Sequence, residues 1–284
     1  MFNLNFTICH RKNLPKSTDL LFYEESITHY DFMKKLLLES QFDYIFLLAA
    51  VASVADTIKR PIYTHIVNQD ANLKILEIIR INDLTPKKII FSSSAAVYGN
   101  KGNLPKNENS YVDPLTPYAI DKYATERFVI DYGKLYNLNT VATRFFNVYG
   151  PKQNPCSPYS GVLSLIRDRI KSNRSFILYG DGRQTSDFVY IDDVVQALLI
   201  IAVDESIKLS VFNVATGKRT SLNDVIMKFE KISGKKLHIL YRAPRPGDIK
   251  NSVADISKIS EKGYCPKFDL EVGLSKYWSA NEKE

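Results

Sequence analysis

The sequence predicts an α/β protein in which a doubly wound parallel sheet is covered by helices on both faces. One observation indicates this fold class, and a second indicates that the chain is globular. Short apolar segments alternate with helix-like segments along the 284 residues, as in βαβ units. The composition, 45% apolar and 24% charged, is ordinary for a globular protein. A chain of this length can bury a sizeable core in one large domain or two small ones.

The strands are predicted where short apolar segments are bounded by polar or turn residues. In chain order they are Leu4–Cys9, Leu20–Tyr23, Tyr44–Leu48, Lys88–Ser92, Thr140–Phe145, Phe176–Tyr179 and Val211–Val214. Longer helix-like segments lie between them, at Tyr30–Leu38, Tyr63–Ile81, Tyr118–Leu135, Gly161–Lys171, Asp192–Ile201 and Ser221–Ile232. In such sheets, ligands bind at the carboxyl ends of the strands.

Composition also argues against several classes of function. The net charge is +7, but basic and acidic residues are interspersed, which disfavours a nucleic-acid groove and leaves a basic pocket for an anionic substrate open. No run of 18 apolar residues and no signal-peptide pattern occurs, so we expect no membrane partner and a cytoplasmic location. Cysteines and histidines are too scattered for a disulfide framework or a metal site: Cys9, Cys156, Cys265, His10, His29, His65 and His238.

Two tyrosine–lysine pairs have the four-residue spacing that places both side chains on one helix face. Tyr118/Lys122 follows a buried strand that ends in Ser92-Ser93-Ser94 and a turn-rich loop, whereas Tyr30/Lys34 has no such strand before it. A strand-end hydroxyl would face the start of the helix that carries Tyr118. The first pair is therefore the candidate catalytic pair, and the second is an ordinary amphipathic helix.

Several ordered motifs accompany this pair. They are Ser-Ser-Ser-Ala-Ala-Val-Tyr-Gly at 92–99, Tyr-x-x-x-Lys at 118–122, Arg-Phe-Phe-Asn-Val-Tyr-Gly-Pro at 144–151, Tyr-Gly-Asp-Gly-Arg-Gln-Thr-Ser-Asp-Phe-Val-Tyr at 179–190, Phe-Asn-Val-Ala-Thr-Gly at 212–217, Arg-Pro-Gly-Asp at 245–248 and Ala-Asp-Ile-Ser-Lys at 254–258. With these motifs the chain resembles the extended short-chain dehydrogenase/reductase family, and in particular its NAD-dependent nucleotide-sugar 4-epimerases.

The resemblance implies a Rossmann-like fold and a catalytic trio of Ser94, Tyr118 and Lys122. Tyr118 would act as the base on the sugar 4-hydroxyl, and Ser94 would hydrogen-bond the reacting oxygen. Bringing a phenol pKa from about 10 to near 7 takes roughly 4 kcal/mol. One ammonium at about 5 Å supplies on the order of 3 kcal/mol, so Lys122 and a positive nicotinamide could close the gap.

By the same resemblance, two sets of residues would contact ligands. NAD would be lined by Leu48, Ala49, Ala50, Asn68, Tyr118, Lys122 and Phe146. The nucleotide diphosphate sugar would be held by Ser94, Asn147, Tyr179, Arg245, Asp248 and Ser252. Purely structural roles are the alternative for these residues: Ala49 and Ala50 could be strand-end packing, and Asn68 could satisfy backbone groups in a helix. Tyr179 could be a core residue, and Arg245 with Asp248 could form a surface turn.

Two details bear on the type of reaction. Related 4,6-dehydratases carry acidic residues after the serine strand, and none occurs between Ile90 and Asn107, which favours an epimerase. Ser252 matches a pocket position where a small side chain leaves room for an N-acetyl group, which suggests a UDP-N-acetylhexosamine substrate. The family also suggests a homodimer through the helices around 62–83 and 118–136.

The chain departs from the family pattern at its start and at several cofactor anchors. All 12 glycines lie at Gly99 or later, so the first family strand and its glycine-rich turn have no counterpart. Cys9-His10-Arg11, Glu25-Ser26 and Leu47 stand where the family has a ribose-binding acid, Gly-Asp and His, and Ser186 replaces an arginine that meets the diphosphate. A truncated, catalytically silent relative that binds a nucleotide sugar or a protein partner is therefore the alternative.

The expected organisation is a partial NAD-binding domain, incomplete at its N-terminus, and a smaller α/β substrate domain. The first would comprise residues 1–147 and 187–215, and the second residues 148–186 and 216–284.

Overall fold

The computed structural model describes residues 20–153, 161–244 and 249–280. The helices are α1 (Tyr30–Ser40), α2 (Val54–Lys59), α3 (Pro61–His65), α4 (Ala71–Ile81), α5 (Pro117–Tyr136), α6 (Val162–Lys171), α7 (Ile191–Val203), α8 (Leu222–Ser233), α9 (Ser257–Ser260) and α10 (Leu270–Ser279). The strands are β1 (Tyr44–Leu47), β2 (Lys88–Ser94), β3 (Thr140–Phe145), β4 (Asn147–Tyr149), β5 (Phe176–Tyr179), β6 (Thr185–Ser186), β7 (Phe188–Tyr190), β8 (Ser210–Val214), β9 (Thr220–Ser221) and β10 (Ile239–Arg242). A π-helical turn, Ile66–Asp70, joins α3 to α4, and a 3-10 turn, Ala95–Tyr98, follows β2.

The main sheet has four strands in the order β1-β2-β3-β8. Strands β1 and β2 are parallel, with Tyr44 opposite Lys88 and Leu47 opposite Phe91. Every residue of β2 before Ser94 is buried, as expected for an interior strand with both faces covered. The smaller sheets pair β10 with β5 and β4 with β7 in parallel, and β6 with β9 antiparallel.

Most predicted elements are confirmed within one or two residues, and β3 and β5 have the predicted bounds. The helix predicted at Tyr63–Ile81 consists of α3, the π-helical turn and α4. The short strands β4, β6, β7, β9 and β10 and the helices α2, α9 and α10 were not predicted. No helix among the described residues has the length and apolarity needed to cross a membrane.

The strand predicted at Leu20–Tyr23 is wrong, because this segment forms no regular secondary structure and Leu21 is 46% exposed. An apolar segment forms a strand only where a neighbour accepts its backbone hydrogen bonds, and no other described segment pairs with it. The predicted strand Leu4–Cys9 lies outside the described residues.

The chain separates into two compact units. The first comprises residues through Ser93 with Thr116–Thr143 and Ala202–Val211, and the second comprises Ser94–Leu115, Arg144–Ile201 and residues from Phe212 onward. The core of the first unit lies among β1, β2, β3, α1, α4 and α5. The core of the second lies among β5, β7, α6, α8 and α10. The predicted division into an NAD-binding domain and a substrate domain, with boundaries at residues 147/148, 186/187 and 215/216, stays a prediction.

Candidate active site

The helix α5 begins where its sequence provides a strong start signal. The Thr116 side chain caps the helix by accepting a hydrogen bond from the Ala119 amide at 3.3 Å, and Pro117 occupies the first helical position. Both features favour a helix start at this point. Tyr118 and Lys122 consequently lie one above the other in the first turns, with the Lys122 ammonium 5.9 Å from the Tyr118 ring centroid.

The Lys122 ammonium is buried against the end of β2. Its side chain donates to the Ser92 carbonyl oxygen at 2.6 Å and lies 3.4 Å from the Ser92 hydroxyl. It also lies 4.8 Å from the Phe91 ring centroid. Burial lowers the pKa of Lys122 to about 7, and the negative charge of Asp121 acts against this shift. The ammonium charge therefore titrates around neutral pH.

A second contact fastens α5 to β2 one helical turn later. The Ser93 hydroxyl donates to the Glu126 carboxylate at 2.6 Å, and both residues are buried. Lys122 and Glu126 are four residues apart and lie on one face of α5. Successive serines of β2 are therefore held by successive turns of the helix that carries Tyr118.

A neighbouring face of α5 holds α3 and the π-helical turn. The Asp121 carboxylate lies 2.7 Å from His65 Nδ1, and the Thr125 hydroxyl donates to the Asn68 carbonyl oxygen at 3.2 Å. Burial raises the pKa of Asp121, while the hydrogen bond to His65 acts against that rise. These contacts fix the π-helical turn relative to Tyr118 and Lys122.

The loop after β1 is shaped by Asn68. The Asn68 amide accepts from the Val51 N–H at 2.7 Å and donates to the Val51 carbonyl at 3.1 Å, and Asn68 is fully buried. Leu48 is 39% exposed at the carboxyl end of β1, and Ala49 and Ala50 are half-buried. Asn68 therefore satisfies backbone groups and holds the loop that presents the predicted cofactor residues.

Ser94 and Phe146 belong to the second unit. The half-buried Ser94 caps the 3-10 turn, accepting a hydrogen bond from the Ala96 amide at 3.2 Å, so its own proton can be donated elsewhere. Phe146 is only 5% exposed and its ring lies 6.3 Å from the Tyr98 ring. The proximity of Ser94 to Tyr118, and of Phe146 to a dinucleotide, stays a prediction.

The other predicted substrate residues also lie in the second unit. Asn147 is exposed on β4, and Tyr179 is half-buried at the end of β5. The half-buried Ser252 donates its amide to the Thr185 carbonyl at 2.9 Å. Arg245 and Asp248 lie outside the described residues.

An arginine accompanies Ser186 on the neighbouring strand. Ser186 lies opposite Thr220 in the β6–β9 pair. The preceding residue, Arg219, donates to the Thr185 hydroxyl at 2.9 Å and to the Asn251 amide oxygen at 2.6 Å. The family has an arginine at the position of Ser186. In this chain Arg219 immediately precedes the strand that pairs with Ser186.

Sequence reasoning missed several residues that position this site. Glu126 lies four residues beyond Lys122, so helical spacing could have indicated its shared face. The contact between Asp121 and His65 joins residues 56 positions apart, and no local sequence pattern predicts it. The role of Ser92 depends on its backbone carbonyl, which any residue type could supply.

The chain is similar in sequence to known proteins. A sequence profile described as the NAD dependent epimerase/dehydratase family matches residues 6–215. A putative UDP-glucose 4-epimerase of Methanocaldococcus jannaschii is 36% identical over 236 residues, covering 82% of this chain and 75% of the relative. A UDP-glucuronate 4-epimerase of Thermodesulfobacterium geofontis is 31% identical over 278 residues, covering 95% and 83% respectively.

Solved structures are similar along nearly the whole chain. The UDP-glucose 4-epimerase of Thermotoga maritima with UDP-glucose gives a TM-score of 0.91 at 32% identity, covering 97% of this chain and 89% of that one. The UDP-N-acetylglucosamine 4-epimerase of Methanobrevibacter ruminantium, in complex with UDP-N-acetylmuramic acid, gives 0.89 at 33% identity with the same coverage. The Thermus thermophilus UDP-glucose 4-epimerase complex with NAD gives 0.89 at 27% identity, also with this coverage.

Proposed function

The chain belongs to the NAD dependent epimerase/dehydratase family, and we propose that it is an NAD-dependent nucleotide-sugar 4-epimerase. The observation that carries the proposal is the buried Lys122 ammonium beneath Tyr118, held by the serine-rich end of β2. The relatives and similar structures named as UDP-sugar 4-epimerases support it. They do not favour the silent-relative alternative.

The residues of the first unit fit a dinucleotide. An ammonium has three donors, and among the described residues Ser92 offers Lys122 two acceptors, its carbonyl and its hydroxyl. A further donor suits a ligand hydroxyl. Leu48, Ala49 and Ala50 offer small and apolar contacts at the carboxyl end of β1, where ligands bind in such sheets. These residues, with Tyr118 and Phe146, would hold NAD.

The proposed mechanism moves one hydride and one proton away from the sugar and then returns both. NAD, when bound, supplies reversible hydride acceptance from the sugar carbon. Tyr118 as phenolate removes the proton of the sugar 4-hydroxyl and returns it after the sugar has turned. Lys122 stabilises the phenolate through its positive charge. Ser94 donates its hydroxyl proton in a hydrogen bond to the reacting oxygen and keeps that oxygen aligned.

The substrate is a nucleotide diphosphate sugar. Asn147, Tyr179, Arg245 and Asp248 hold the nucleotide and diphosphate in this proposal. Ser252 leaves space for an N-acetyl group, so a UDP-N-acetylhexosamine is the expected sugar. We expect turnover of UDP-N-acetylglucosamine to exceed that of UDP-glucose, and to fall when Ser252→Phe fills the space. Equal or faster turnover of UDP-glucose contradicts the N-acetyl assignment.

The first unit also carries an apolar face suited to a second copy of the chain. Helices α3 and α5 expose the large side chains Ile62, Tyr63, Ile120, Phe128 and Leu135, of which Ile62 is 79% exposed and Leu135 is 72% exposed. Large apolar side chains exposed on two neighbouring helices are typical of an interaction surface. A homodimer through these helices would cover it.

Cofactor retention tests the enzyme assignment directly. The purified chain is denatured, and the supernatant is assayed for NAD and NADH. We expect close to one dinucleotide per chain, or saturable NAD binding if the cofactor is lost during purification. A folded protein that neither retains nor binds NAD contradicts the proposal and supports the silent relative.

A further inference from the structure

Asp121 is a buried carboxylate with incomplete hydrogen bonding. Its side chain is 5% exposed, and one oxygen, Oδ1, lies 2.7 Å from His65 Nδ1. The second oxygen, Oδ2, is buried and receives no hydrogen bond from any described residue. A carboxylate removed from water in this way interacts strongly with charges nearby, because little solvent screens it.

The neighbouring charge is the Lys122 ammonium. The two residues are adjacent in α5 and both are buried. The hydrogen bonds of Lys122 go to the neutral atoms of Ser92, so they provide no countercharge. The negative charge of Asp121 raises the pKa of Lys122 against the effect of burial.

Among the described residues, other titratable groups lie around this pair. On α5 they are Tyr118, whose ring lies 5.9 Å from the ammonium, and Glu126, which accepts the Ser93 hydrogen bond. His65 of α3 faces Asp121, and Asp70 of the π-helical turn lies 3.4 Å from His65 Nε2. The imidazole is thus placed between two carboxylates, only one of which is buried.

We propose that Asp121, held in place by His65, is a positioning residue that keeps the Lys122 ammonium charged when the buried site must also stabilise negative charge on Tyr118. This inference rests on the proposed epimerase function for its catalytic consequence, but the electrostatic effect on Lys122 exists without it. The sign follows from charge: a carboxylate favours the protonated lysine. Removing the carboxylate must therefore make Lys122 lose its proton at lower pH.

The test compares Asp121→Asn with Asp131→Asn. Asp131 lies on the same helix but is half-exposed and pairs with Arg127. Lysine side chains are labelled with ¹³C, the Lys122 signal is identified by its loss in Lys122→Met, and its pKa is read from an NMR pH titration. We expect Asp121→Asn to lower that pKa by roughly half a unit to one unit and Asp131→Asn to leave it in place. An unchanged Lys122 pKa in folded Asp121→Asn overturns the proposal.

The pH profile of kcat/KM tests whether the effect of Asp121 on Lys122 also changes catalysis. The alkaline limb of Asp121→Asn should move to lower pH by the same amount as the Lys122 pKa, which a purely structural role would not produce. If the wild type shows no epimerase activity, the proposed function fails while the NMR titration still decides the role of Asp121.

A second variant decides the matter if Asp121→Asn does not fold. His65→Gln changes a half-exposed side chain and leaves the carboxylate present but without its imidazole. Without its imidazole partner the carboxylate is no longer held in place beside Lys122, so the Lys122 pKa should fall in the same direction by a smaller amount. A rise or no change in the Lys122 pKa of folded His65→Gln contradicts the positioning role.

Discussion

Replacing Lys122 with methionine should make the stability of the protein depend on pH in a specific way. The pKa of Lys122 is about 7 in the folded chain, whereas an exposed lysine has a pKa of about 10.4. Between these values the unfolded chain binds more protons than the folded chain, so the wild-type free energy of unfolding rises with pH. The difference between these two pKa values corresponds to a destabilisation of about 5 kcal/mol below pH 7.

Lys122→Met removes this destabilisation but leaves the Ser92 carbonyl without its ammonium donor, at a cost of about 1–3 kcal/mol that varies little with pH. The variant should therefore be more stable than the wild type at pH 6 by a few kcal/mol, and less stable near pH 10. Urea unfolding of both proteins at pH 6, 8 and 9.5 measures the difference, because all other groups cancel. A difference that stays constant with pH, or grows in favour of the variant, would refute the account of the buried ammonium.

Three further predictions concern contacts around the site. Ser93→Ala should lower the free energy of unfolding by about 1–3 kcal/mol in urea unfolding, because it removes a buried hydroxyl that donates a hydrogen bond to the Glu126 carboxylate. Asn68→Ala should weaken NAD binding in a calorimetric titration, since two hydrogen bonds to Val51 hold the loop after β1. If the chain forms the proposed homodimer, Ile62→Glu should shift it from dimer to monomer in analytical ultracentrifugation, because it places a charge on the apolar face of α3 and α5.

Matched variants distinguish these effects from general damage. Ser110→Ala removes an exposed hydroxyl that bonds only locally with Asn107 and should leave stability within about 0.5 kcal/mol. Asn82→Ala alters an asparagine at the end of α4 and should not change NAD affinity. Val195→Glu charges an exposed apolar residue of α7 and should leave the proposed dimer intact. Equal effects from a variant and its control would contradict the corresponding contact.

Local patterns were sufficient to predict the elements that carry the site. The helix-like pattern places the start of α5 at Tyr118, one residue from the observed Pro117, and the apolar run before the serines indicates the buried strand β2. The four-residue spacing of Tyr118 and Lys122 then implies a shared helix face. Helix bounds are less certain than helix existence, since α3 and α4 are separated by a π-helical turn that no sequence period reveals.

Long-range polar contacts could not be predicted in the same way. Asp121 and His65 meet only because α3 packs on α5, and the sequence of either helix would suit an exposed surface equally well. The charge of Lys122 is another example. The sequence suggested an ammonium that stabilises a phenolate, but burial makes that charge conditional near neutral pH, and burial depends on tertiary packing.

The most direct measurement is 4-epimerisation by the purified, NAD-supplemented protein with UDP-N-acetylglucosamine as substrate, followed by chromatographic separation of the 4-epimers. Tyr118→Phe is the test variant, and Tyr123→Phe, in the next turn of α5, is its control. We expect the wild type and Tyr123→Phe to form the 4-epimer, and Tyr118→Phe to lose at least 100-fold of the rate, as for removal of a general base. No epimer from this or any other UDP-hexose, or equal rates for Tyr118→Phe and the wild type, would contradict the assignment of the chain as a tyrosine-dependent 4-epimerase.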